Sequence, residues 1–335
     1  MIAANNPLWP SQTTAAGLGR TEQKELHESY DSRSAKIHQV TCLGVRPISA
    51  IIRLGSIDTA SRMSDCPSSD DGAVGVGQDG GNREVTGRQM TTMNPGSAYR
   101  VYEHLAATDL AVEGIRPGGL ELTERALAWC AFAPTSRILD VGPGNGVTLN
   151  QLSCRYAFAA IGVDLSHHLL NQARLKNRAL SLVRGSGENL PFTNEFADGL
   201  FAECSLSVMD DPGRALDEFR RVLRIGGKLI LSDVYAKNPD CIDRLARTPR
   251  GCCLRGAISR TQILERLTNR DFEIDLWEDH TYMLTRFAVK LIFSYGSMNN
   301  FWRKMSPDSI DPKQIERTVS EAKPGYFLLI ARKKG

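Results

Sequence analysis

Seven consecutive residues, Asp140-Val141-Gly142-Pro143-Gly144-Asn145-Gly146, place an acid and three alternating glycines directly behind the apolar pair Ile138-Leu139. Glycines spaced in this way remove Cβ atoms where the backbone must turn sharply, and they let a ligand approach the main chain. Val147-Thr148-Leu149 then opens a helix, whose first amide groups favour an electron-rich ligand. Asp164 follows eighteen residues after Gly146, at the end of a second apolar run, Ala159 to Val163. A carboxylate so placed can accept hydrogen bonds from both hydroxyls of a ribose. The chemistry predicted is the binding of a nucleotide-like molecule.

Two ligand classes fit, a dinucleotide and adenosylmethionine. A dinucleotide loop has glycine at its first, third and sixth positions, and the sixth here is Val147. A nicotinamide-dependent oxidoreductase is therefore the second reading, weakened at that residue.

These residues need strands that end together. Arg137 to Val141 reads as a buried first strand, Ala159 to Val163 as the second, Leu182-Val183 as the third, Gly199 to Ala202 as the fourth and Lys228 to Ser232 as the fifth. Helical periodicity separates them, with Ser166 as an N-cap and with Ala215, Leu216, Phe219, Val222 and Leu223 on one face of a helix that Gly226-Gly227 ends. Alternation of this kind predicts an α/β fold with a doubly wound, mostly parallel sheet of seven strands. Helices are also expected at Tyr102 to Val112, Thr123 to Phe132, Thr261 to Leu267 and Met283 to Tyr295, and late strands at Phe272 to Trp277 and Tyr326 to Ala331. Residues 1–92 contain none of the eleven phenylalanines and are crowded with Gly, Ser, Asp and Thr, so they are expected to be a disordered or added leader.

Composition narrows the partners. With 335 residues and 41% hydrophobic content the chain can bury a core, and a net charge of +3 gives no general attraction to nucleic acid or anionic membranes. Apolar runs such as Tyr326 to Ala331 fall far below the roughly 18 residues that span a bilayer. Eight cysteines without regular spacing give neither a disulfide framework nor a pair of zinc knuckles. The expectation is a cytoplasmic protein with reduced thiols, no bound metal and a small-molecule partner; oligomeric state is not read from the sequence.

The run from Asp140 to Gly146, followed by GENLPF (Gly187 to Phe192), DGLFAECSLSVMDDP (Asp198 to Pro212) and ALDEFRRVLRIGGKLILSD (Ala215 to Asp233), resembles the class I adenosylmethionine-dependent methyltransferases. The likeness is to the small-molecule branch that includes quinone-biosynthesis and arsenite methyltransferases. It implies a cofactor core at 121–233 within a domain at 93–335. It also implies an acceptor side and lid at 234–335, with the segment around Tyr102 and His104 and the insertion from His280 to Trp302 as covers. Asp140, Gly142, Gly144 and Gly146 would then hold the methionine end of the cofactor, Asp164 the ribose, and Leu165 the adenine. Glu203 and Cys204 would lie near the methyl, and Glu188 and Asn189 would reach the adenine edge. Relatives usually carry an acid where this chain has Ser186, and many carry a histidine pair where it has Ser205-Leu206-Ser207-Val208. A catalytically inactive binding module is a third reading.

Methyl transfer by in-line displacement depends on alignment, and it needs a base only for a protonated acceptor. Glu203, Asp233, Tyr235 and His280 are the candidates for that role. If the acceptor is a soft metalloid, Cys204, Cys252 and Cys253 become candidates through their thiols.

Overall fold

Apolar residues that recur on both faces of successive strands can be buried only by helices on both sides, and the chain folds that way. The computed structural model describes residues 100–112, 114–305 and 311–335; the leader expected at 1–92 lies outside them. Strands β1 (Arg137–Val141), β2 (Ala159–Asp164), β3 (Ser181–Arg184), β4 (Ala197–Glu203), β5 (Leu223–Ala236), β6 (Phe272–Asp279) and β7 (Pro324–Lys333) form one sheet. Its order is β3-β2-β1-β4-β5-β7-β6. The first five strands run parallel, whereas β7 runs antiparallel to both β5 and β6, so the sheet is mixed.

Alternate residues of β1 feed opposite cores. Ile138 packs with Leu149, Leu152 and Phe201, while Leu139 and Val141 join Leu200, Ala202 and Phe219 on the other face. Helices α1 (Arg100–Ala106), α2 (Glu121–Cys130), α3 (Val147–Asn150, extended by one wide turn to Arg155), α4 (His167–Lys176) and α5 (Pro212–Val222) belong to the first half. Ser166 caps α4 by accepting from the Leu169 amide at 3.2 Å, as its position predicts. Pro212 starts α5, and the Asp211 side chain accepts from the Arg214 amide.

The structure departs from the sequence-based expectation at several elements. β5 begins at Leu223 rather than Lys228, because fully buried Leu223 already pairs with Ala197 and Gly226 absorbs the bend at φ +76°. The first helix stops at Ala106, where the Thr108 hydroxyl donates to the Leu105 carbonyl and the chain tightens into a 3₁₀ turn at Asp109–Ala111. After α6 (Ile242–Leu245), α7 (Arg260–Thr268) and α8 (Thr281–Tyr295) come two helices that were not anticipated, α9 (Met298–Met305) and α10 (Pro312–Ala322). Phe301, Trp302 and Met305 are the buried face of α9. Among the described residues no helix is long and apolar enough to cross a membrane.

Strand order reverses between β1 and its neighbours β2 and β4. In open α/β sheets the crevice for a ligand lies beyond the carboxyl ends of the strands at this point.

Candidate active site

The turn after β1 occupies that crevice. Gly142 lies at φ +83° and Gly144 at φ +55°, both in the left-handed region. A Cβ on Gly142 would come within 2.5 Å of the Ser205 Cβ, whereas one on Gly144 would meet only Ile115 Cδ1 at 3.8 Å. Gly142 thus lets β1 and β4 close together, and Gly144 leaves space for a ligand. We expect Gly142→Ala to lower stability by about 1–3 kcal/mol through strain and overpacking, read as a shift in the urea midpoint. An unchanged midpoint would show that the turn relaxes freely.

Asp164 stands at the tip of β2. Its Oδ1 accepts from the Ser166 amide at 2.8 Å and its Oδ2 from the Gly144 amide at 3.1 Å, so the carboxylate locks the glycine turn to the second strand. Burial pushes its pKa up, and the two amides pull it partly back. It lines a cleft of about 870 Å³ together with Gly142, Gly144, Leu165, Glu188 and Glu203. Ser186 also lines the cleft, and its hydroxyl accepts from the Glu188 amide at 3.1 Å, closing a tight turn. The Glu188 carboxylate accepts from the Asp211 amide at 2.8 Å. Asn189 is exposed and does not line the cleft.

Beneath the cleft lies a charged group that needs its partners. Glu203, 7% exposed, accepts from the Thr123 hydroxyl at 2.8 Å through Oε1 and from the Thr148 hydroxyl at 2.8 Å through Oε2. Arg116 Nη2 is 3.0 Å from the same Oε2, and it donates to both threonine hydroxyls. Asp140 is 2% exposed, and its Oδ2 is buried without a hydrogen-bond partner. Burial drives its pKa well up, the Glu203 charge adds to this, and Arg116 opposes it. Sequence reasoning passed over Arg116, Thr123 and Thr148. Arg116 stands directly before Pro117-Gly118-Gly119, where the local pattern signals only a turn, and a threonine inside a helix carries no signal of the carboxylate that it will meet.

Residues 139–231 match the model of the methyltransferase domain family. That segment of the chain is similar to a methyltransferase domain. A 2-methyl-6-phytyl-1,4-hydroquinone methyltransferase from Arabidopsis thaliana is 33% identical over 134 residues, 39% of this chain and 38% of that protein. An arsenite methyltransferase from Halobacterium salinarum is 29% identical over 160 residues, 44% of this chain and 39% of that protein. The chain therefore matches less than half the length of either relative. A solved phosphoethanolamine N-methyltransferase 2 from Haemonchus contortus, in complex with phosphomonomethylethanolamine and S-adenosylhomocysteine, shares the fold. Its TM-score is 0.54 at 18% identity, over 70% of this chain and 56% of that one.

Not all the base candidates reach the cleft of the methyltransferase domain. Successive β5 residues point to opposite faces, so Val234 faces the side of Cys204 while Tyr235 packs on the other face. There Tyr235 lies edge-on to Trp277 and donates to Asp279 at 2.7 Å. His280 begins α8, with Nε2 3.0 Å from Glu278, and lines neither the cleft nor the cavity that adjoins it. Cys204, Cys252 and Cys253 do come together on that adjoining cavity. Among the described residues no set of three or more His, Cys, Asp or Glu side chains is arranged to hold a metal ion.

Asp233, at 3% exposure, accepts from the Ser207 hydroxyl at 2.6 Å, the Ser207 amide at 3.0 Å and the Val234 amide at 2.8 Å. Burial raises its pKa to about 6 despite these donors. Since this lies above the unfolded value of about 4, the favourable contribution is full below that value and is lost as pH rises through about 6. Unfolding free energies from urea titration should therefore favour the wild type at pH 5 over pH 7 by about 1 kcal/mol more than they favour Asp233→Asn, groups common to both chains cancelling. Parallel pH profiles for the two proteins would refute the assignment.

Proposed function

We propose that this chain is an adenosylmethionine-dependent methyltransferase acting on a small-molecule acceptor. The observation that carries the reading is the cleft over the glycine turn, where Asp164 faces the position of a ribose and Gly144 leaves room for the cofactor within a methyltransferase domain. The unpartnered Asp140 Oδ2 is a fit for a donor such as the cofactor's ammonium group, because a buried acceptor left alone is costly. When bound, adenosylmethionine supplies an electrophilic methyl group: the acceptor's lone pair forms the new bond as the carbon–sulfur bond breaks, the bonding pair stays on sulfur, and any acceptor proton passes to water.

The protein's part is binding and alignment. Gly142 and Gly144 present the backbone, Asp164 orients the ribose, and Leu165 and Glu188 border the adenine end, where Ser186 stands in place of the usual acid. Glu203 belongs to the scaffold under the methyl position, since hydroxyls and a guanidinium already hold both its oxygens. Neither the oxidoreductase reading nor the inactive-module reading gains support from the relatives. Those relatives are named for acceptors as different as a phytylated hydroquinone and arsenite, so the acceptor must be argued from this chain's own residues. A reducing, cytoplasmic setting suits the unbridged thiols of Cys130, Cys204, Cys241, Cys252 and Cys253.

Calorimetric titration with adenosylmethionine, adenosylhomocysteine and NAD tests the reading. Saturable binding of the first two and none of NAD supports it. Binding of NAD alone, or of no adenosyl compound by a folded sample, overturns it.

A further inference from the structure

A second cavity adjoins the cofactor cleft and shares three of its walls, Tyr102, Ile115 and Cys204. Helices α1, α8 and α9 contribute Leu105, Leu284, Phe287, Leu291, Phe301 and Trp302 to it. Among the described residues, no Asp, Glu, Lys, Arg or His lines it. The polar side chains on its walls are Tyr102, Trp302, Cys204, Cys252 and Cys253, and Tyr102 and the three thiols lie close enough to influence one another electrostatically. Burial raises the pKa values of the Tyr102 phenol and the Cys204 thiol, so both are neutral at physiological pH.

The lining decides what can enter. A charged or zwitterionic molecule would lose its hydration here and meet no opposite charge, an unfavourable exchange of several kcal/mol. An apolar body gains about 25 cal/mol for each Å² removed from water. A cavity that leads out of the cofactor cleft and accepts only the second kind of molecule acts as a filter on the acceptor.

We propose that this cavity is the acceptor pocket, and that it admits an uncharged, predominantly apolar acceptor. The nucleophile-bearing end sits at Tyr102 and Cys204, and the apolar body lies against α8 and α9. The proposal deepens the methyltransferase reading and rests on it for the role of the neighbouring cleft. It also separates this chain from enzymes whose acceptors are amino acids, phosphate esters or oxyanions.

The test is calorimetry on the full chain with 4-octylphenol, sarcosine and phosphoethanolamine as probes, each with and without adenosylhomocysteine. Octylphenol should bind in both conditions, and the two polar probes in neither. Ala288, on the cavity side of α8, is the place to fill it: Ala288→Phe should weaken octylphenol binding at least about tenfold and leave adenosylhomocysteine affinity within about twofold. Val319→Phe, from α10, is the second such variant if the first does not fold. Binding of sarcosine or phosphoethanolamine in preference to octylphenol, or octylphenol affinity unmoved by a folded cavity-filling variant, overturns the proposal. Octylphenol binding that depends on Ala288, without any binding of adenosylhomocysteine, leaves the apolar site standing and removes the methyltransferase reading instead.

Discussion

Replacing Asp164 with alanine is expected to weaken adenosylhomocysteine binding about a hundredfold, because two hydrogen bonds to a carboxylate, each worth about 1.5–3 kcal/mol, disappear together. Some of this loss is indirect, since the carboxylate also accepts from the Gly144 and Ser166 amides and so holds the glycine turn in place. A 2′-deoxy analogue of the ligand separates the two contributions. It should bind the wild type more weakly than the parent compound does, yet bind Asp164→Ala about equally to the parent. Burial already favours the protonated carboxyl. Affinity should therefore fall with pH as protonation competes with the ribose donors, and this dependence should vanish in the variant. If the deoxy analogue discriminates equally in both proteins, Asp164 is only a brace for the turn.

That carboxylate could be found in the sequence because its position depends on short-range pattern alone. An apolar run ending in an acid places the acid at a strand tip, and parallel pairing of strands buried on both faces brings the tips to one edge of the sheet. The glycine turn, the Ser166 cap and the face of α5 were legible for the same reason, each being written within about a dozen residues. Tyr235 shows where such reasoning stops. Only the phase of β5 relative to the sheet decides which face a side chain takes, and starting the strand at Leu223 with a bend at Gly226 gives a phase that no local pattern records. α9 and α10 escaped because the apolar stripes in MNNFWRKM and PKQIERTVSEA are short and sparse, although Gly296-Ser297 precedes the first and the Asp311-Pro312 start signal opens the second. The meeting of Arg116, Thr123, Thr148 and Glu203 spans as many as 87 positions and is a product of topology.

Glu203→Ala should unfold this domain more readily than any change at its surface. The one carboxylate ties the end of β4 to α2 through Thr123, to α3 through Thr148, and to the turn before α2 through Arg116. Its removal leaves the Arg116 guanidinium, whose side chain is 9% exposed, without its ion-pair partner, and Arg116 Nε is already buried and unpaired. Breaking a buried pair from one side costs about 3–5 kcal/mol, which for a domain of this size lowers Tm by about 10 °C. The double variant Arg116→Leu/Glu203→Leu should be less destabilised than the sum of its parts, by a coupling of about 1–3 kcal/mol, because no uncompensated charge remains. Glu203→Gln keeps acceptor and shape while losing the charge, so its Tm should fall between those of the wild type and Glu203→Ala. A catalytic base would behave differently: Glu203→Gln would abolish turnover at nearly unchanged Tm, and additive single and double variants would show that Arg116 and Glu203 are neighbours without being partners.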